Sequence, residues 1–138
     1  EIVKQFTKGN DVRYLDSIPG ITPFLAANIL AELTPLSRFQ KTDQLIAFAG
    51  LDPQVKQSSG TTYYGKLSKR GSPVLRKVLF LAAFGSFHRE SFAPIYQQYK
   101  SRGIHHNAIL CILSRKILRI AYTLLTKREI FSVAKLRY

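Results

Sequence analysis

The segment 105–126 constrains this chain most. Ile109, Ile112, Leu113, Ile117, Ile120, Ala121, Leu124 and Leu125 recur at intervals of three and four residues, which on a helix of 3.6 residues per turn gathers them on one broad face. A helix this long with so wide an apolar stripe has to be covered, and the remaining apolar residues are spaced to make shorter helices that cover it. Val12, Leu15 and Ile18 mark one over 11–17, with Asn10 or Asp11 as cap. Thr22 caps the next, over 24–33, with Pro23 in its first turn and Pro35 as its stop. A third runs over 42–48, capped by Thr42 and ended at Gly50. Ser72-Pro73 opens a fourth that continues to about Arg89, and 92–100 forms a fifth that ends near Gly103. Residues 1–8, with Ile2, Val3 and Phe6, read as the tail of a helix ended by Gly9-Asn10. The fold class expected is all-α, a compact helical domain.

One stretch breaks the pattern. Across 51–72, Pro53, Ser58, Ser59, Gly60, Gly65, Ser68 and Gly71 interrupt every helical period, which predicts one long functional loop. Tyr63, Tyr64 and Leu67 within it suit a small hairpin. With 138 residues and 46% hydrophobic content the chain has the size and apolar share of a single domain. No apolar run is long enough to span a bilayer. One cysteine, Cys111, excludes an internal disulfide framework and an all-cysteine zinc site. No membrane association and a cytosolic setting are the expectations.

The net charge of +13 is distributed unevenly. Residues 1–52 sum to −1, while residues 53–138 sum to +14, with Glu90 and Glu129 as their only acids. Solvated basic faces ordinarily intersperse acids, because unrelieved like charge opposes compaction. A polyanion is the partner such a surface fits, and nucleic acid fits it better than a membrane.

The basic residues converge on one helix start. Lys66, Ser68, Lys69, Arg70, Ser72, Arg76 and Lys77 surround the N-terminus of the helix that begins at Pro73. Cations there oppose the helix dipole, so a bound phosphate supplies the physical reason for them. Arg115 and Arg119 share a face of the long helix and could grip a second phosphate or stand in solvent. At 18–22, Pro19, Gly20 and Thr22 make a turn between two short helices whose free amides could contact a phosphate, in a helix-hairpin-helix-like motif over 11–34. An ordinary αα-turn explains the same residues equally well. The run Gly60 to Lys66 lacks the Ser or Thr after lysine that a P-loop needs. His105 and His106 read as caps of the long helix. Phe84, Phe87, Phe92, Tyr96 and Tyr99 read as core. Chemistry alone gives Ser58 and Ser59 no activating neighbour.

Taken in order, Ser-Ile-Pro-Gly-Ile at 17–21, Phe39, Ala-Phe-Ala-Gly-Leu-Asp-Pro at 47–53, Lys-Gln-Ser-Ser-Gly at 56–60, Ser-Lys-Arg-Gly-Ser-Pro at 68–73 with Leu75-Arg76, and Ala82-Ala83 form a pattern. It resembles the C-terminal domain of the transposases of insertion sequence one-ten and its relatives, including the pilin-gene invertases. The resemblance implies that 1–9 ends a coiled-coil linker helix and that 10–138 is the transposase C-terminal helical domain, with its serine loop at 51–72 and basic helices over 73–127. It implies an N-terminal RuvC-like domain, absent here, whose four acids hold Mg²⁺; no cofactor is expected on this chain. It also implies that a serine, Ser58 or Ser59, attacks DNA, that a structured guide RNA is a partner, and that the full-length protein works as a homo-oligomer in the prokaryotic cytosol. On this reading the 138 residues alone bind nucleic acid without cutting it. The competing reading is a non-catalytic DNA- or RNA-binding module of the helix-hairpin-helix kind.

Overall fold

Thr22, Ser72 and His105 each hold an extended backbone and accept a hydrogen bond from an amide two or three residues on, so the chain enters three of its helices through side-chain caps. The computed structural model describes residues 10–58, 61–67 and 71–136; the helix tail expected over 1–8 lies outside them. Helix α1 is Asn10–Asp16, α2 Pro23–Leu33 and α3 Thr42–Ala49, with a 3₁₀ turn at Leu36–Arg38 between the last two. Strands β1 (Pro53–Ser58) and β2 (Thr61–Leu67) follow. Then come α4 (Pro73–Ser86), α5 (Ala93–Ser101), α6 (His106–Lys127) and a 3₁₀ turn at Val133–Lys135.

Helix α6 is the central element. It packs chiefly against α4 and also touches α1, α3 and α5, while α2 bridges α1 and α4. Leu15, Ile29, Leu33, Leu45, Leu75, Leu79, Phe92, Ile109, Leu113, Ile117 and Leu124 are fully buried and form one continuous core. Two buried serines tie the elements across it. Ser114 Oγ lies 3.3 Å from the Leu79 carbonyl, joining α6 to α4. Ser86 Oγ lies 2.7 Å from the Pro19 carbonyl, joining α4 to the α1–α2 turn.

The all-helical architecture is the one expected, with three differences of detail. Helix α4 stops at Ser86 rather than near Arg89, because the Ser86 carbonyl accepts the Arg89 N–H at 2.9 Å and turns the chain toward α5. Thr42 is the first residue of α3 rather than its cap; the Gln44 side chain accepts the Gln40 N–H there at 2.7 Å. Finally, the hairpin that Tyr63, Tyr64 and Leu67 suit takes in β1 as well: β1 and β2 pair antiparallel where the rest of 51–72 reads as a long loop. Of the aromatic residues expected in the core, Phe92 and Tyr96 are buried and Phe87 and Tyr99 half-buried, but Phe84 is 57% exposed.

Candidate nucleic-acid interface

The hairpin leaves and rejoins the helical body at one place, the C-terminus of α3. Gly50 adopts the left-handed conformation (φ 71°) and the Leu51 N–H returns to the Ile46 carbonyl at 3.0 Å, closing the helix and turning the chain out. On the return, Gly71 (φ 94°) lies against the same helix end and the Ser72 N–H donates to the Phe48 carbonyl at 2.6 Å. Two of the arginines expected to grip phosphate stand here. Arg76 donates to the Ala49 carbonyl at 3.3 Å, and Arg115 to the Leu51 carbonyl at 3.1 Å. Cations on the carbonyls that end a helix are favoured by its dipole. Burial pushes the Arg115 guanidinium below its ordinary value, and nearby Arg119 acts in the same direction. Each arginine spends one donor nitrogen on these contacts and has further N–H groups in its fork. These contacts brace the base of the hairpin, a role that the sequence reading did not assign to them.

At the start of α4, Ser72 Oγ accepts the Leu75 N–H at 3.1 Å and donates to the Glu32 carboxylate on α2. The anion that the sequence called for at this helix start is thus supplied in part by the protein itself. Ser72→Ala removes both bonds. It is expected to lower stability by about 1–2 kcal/mol, read as a fall in melting temperature by circular dichroism. Lys77 is exposed on the first turn of α4. Lys66 lies next to the last residue of β2, and Ser68, Lys69 and Arg70 lie outside the described residues.

The register decides where the serines stand. Pro53 pairs with Leu67, at the base, and Ser58 with Thr61, at the tip. Ser58 therefore closes the hairpin, whereas Ser59, with Gly60, lies outside the described residues. Over the six residues of β1 an extended chain advances about 17 Å. Antiparallel pairing returns Lys66 to the base of the hairpin, a hairpin's length from Ser58.

At the α1–α2 turn, Gly20 (φ 91°) sits against the backbone of Gly85, so close that an added Cβ would fall 2.7 Å from the Gly85 carbonyl oxygen. Thr22 Oγ1 accepts the Leu25 N–H at 3.2 Å. Packing and capping thus account for the Pro-Gly turn, and the helix-hairpin-helix-like segment is applied to α4 at that point. His105 caps α6 as expected, accepting the Asn107 N–H at 3.2 Å. His106 does not; its Nδ1 meets the Tyr96 hydroxyl at 2.8 Å.

Residues 12–100, from α1 through the hairpin to the end of α5, match the model of the Transposase IS116/IS110/IS902 family. The chain belongs to this family. Its similarity to an uncharacterized 43.6 kDa protein of insertion element IS110 from Streptomyces coelicolor is 30% identity over 113 residues, 80% of this chain and 28% of that protein. A 44.8 kDa protein of element IS116 from Streptomyces clavuligerus is 24% identical over 97% of this chain and 34% of its own length. The transposase for element IS1111A from Coxiella burnetii is 33% identical over 60% of this chain and 23% of its own. This IS116/IS110/IS902-family chain thus spans about a quarter to a third of the length of these relatives. Among the described residues of this transposase-family chain, no three His, Cys, Asp or Glu side chains meet in a way that could hold a metal ion. Nor is any described helix long and apolar enough to cross a membrane.

Proposed function

We propose that this chain is the C-terminal, serine-bearing, DNA-binding half of a transposase that exchanges DNA strands by phosphoryl transfer with a RuvC-like domain elsewhere in the full-length protein. The observation that carries this reading is the hairpin: it puts Ser58 at a projecting tip and is braced at its base by Arg76 and Arg115. A nucleophile on such a projection can enter a site completed by another domain, whereas a serine on the helical body could not reach out. Mg²⁺ would be held by the acids of the RuvC-like domain, where it would supply charge stabilisation for a phosphodiester. The residues of this chain present the hydroxyl and hold the flanking DNA.

The separation of tip and base has a consequence for substrate binding. A span of about 17 Å covers about five nucleotide steps at ~3.4 Å each along a duplex. Lys66, Arg76 and Lys77 thus hold backbone phosphates several nucleotides from the bond attacked at the tip, and the sequence assigns Lys69 and Arg70 to the same contact. A structured guide RNA and a homo-oligomer belong to the same proposal, on the strength of the family resemblance. The test is single replacement of Ser58 and of Ser59 by alanine in the full-length protein. One variant should lose strand exchange while still binding DNA. If both exchange strands normally, the chain is a non-catalytic nucleic-acid-binding module instead.

A further inference from the structure

Helix α6 has a second basic feature beyond Arg115. A groove of about 330 Å³ runs between α6 and the segment that follows it, lined by Lys116, Arg119, Thr123 and Lys127 on one side and by Ala134 and Leu136 on the other, over the buried Ile120. Among the described residues that line it are three cations and no acid. Burial holds the Lys116 ammonium below its ordinary value, and Arg119 presses it further the same way; Arg119 acts likewise on Arg115 one turn earlier. Positive charge is therefore gathered along one face of α6, half-buried at Lys116 and exposed at Arg119 and Lys127. The Thr123 hydroxyl is turned back onto the Arg119 carbonyl at 3.0 Å, so the exposed Arg119 and Lys127 are the donors the groove offers outward.

The dimensions indicate what kind of anion fits. From Lys116 to Lys127 the helix advances about 16 Å, the reach of several consecutive phosphates at ~3.4 Å per nucleotide rather than of a single ion. Arg115 joins this row to the hairpin base through the Leu51 carbonyl. We infer that the groove formed by Lys116, Arg119 and Lys127 against the C-terminal segment is a second phosphate-binding site, which holds a nucleic-acid backbone as it runs on from the hairpin base. The inference deepens the transposase reading and rests on its nucleic-acid contact.

The experiment measures binding of the 138-residue chain to a fluorescent duplex DNA and to a fluorescent stem-loop RNA by anisotropy, across a series of salt concentrations. The double variant Arg119→Gln, Lys127→Gln should bind at least one probe about tenfold more weakly or worse. Its plot of log affinity against log salt should be shallower by about 2, one for each lost phosphate contact. Whichever probe is affected names the strand that occupies the groove. The comparison variant is Arg13→Gln, Lys41→Gln, with equal charge loss at exposed positions outside the groove; it should keep the wild-type slope. Groove and comparison variants that behave alike on both probes would overturn the inference while leaving the transposase reading intact. An unmodified chain that binds neither probe would overturn the nucleic-acid contact of both.

Discussion

Of the two variants Ser58→Ala and Ser59→Ala, one should reduce strand exchange by about a thousandfold or more, and the other should leave it within a few-fold of the parent. The size follows from the role. Removing a nucleophile deletes the covalent step and leaves whatever positioning and charge stabilisation still act on water. Of the two, Ser58 closes the β-ladder opposite Thr61. DNA binding should survive in both variants, because the cations proposed to hold flanking phosphates lie at the hairpin base and on α6. Parallel assays of exchange and of binding on the full-length protein check this, and a variant that loses both has lost its fold rather than its nucleophile.

The second large effect concerns stability. Gly71→Ala should destabilise the chain by about 3 kcal/mol or more, which for a domain of this size lowers the melting temperature by about 10 °C. Gly71 has a φ of 94°, and a Cβ placed on it would lie 2.1 Å from the Phe48 carbonyl oxygen and 2.9 Å from that of Ala47. Both are backbone atoms at the end of α3 and cannot swing aside. Gly103 provides the comparison. It too has a positive φ, 81°, but nothing lies within 4 Å of its added Cβ. Gly103→Ala should therefore cost only the conformational strain, about 1–2 kcal/mol. Thermal melts of the two variants separate the contact from the strain. If they melt together, the close approach of the hairpin exit to α3 is wrong.

Much of the helical frame was legible because its determinants are local. Thr22, Ser72 and His105 cap the helices that follow them, Gly50 ends α3, and the apolar period of 105–126 sets α6 within a residue at each end. The hairpin was less legible. Val55, Thr61, Thr62, Tyr63 and Tyr64 have strand-forming side chains. The surrounding glycines, serines and Pro53 masked that signal. The groove on α6 left no local signal at all. Lys116, Arg119 and Lys127 look like a solvated face until the segment around Ala134 and Leu136 is laid beside them.

The sequence by itself determined the helices, their caps, the basic second half of the chain and the ordered motifs that identify the family. Each depends on residues within a few positions of one another or on simple composition. Tertiary structure alone decided which charges share a neighbourhood. It sent Arg76 and Arg115 to the carbonyls at the hairpin base, put the Glu32 carboxylate on Ser72, packed Gly20 onto Gly85 and set Ser58 and Lys66 at opposite ends of the hairpin. Proximity between residues tens of positions apart is set by strand register and helix packing, which depend on the whole core being satisfied at once.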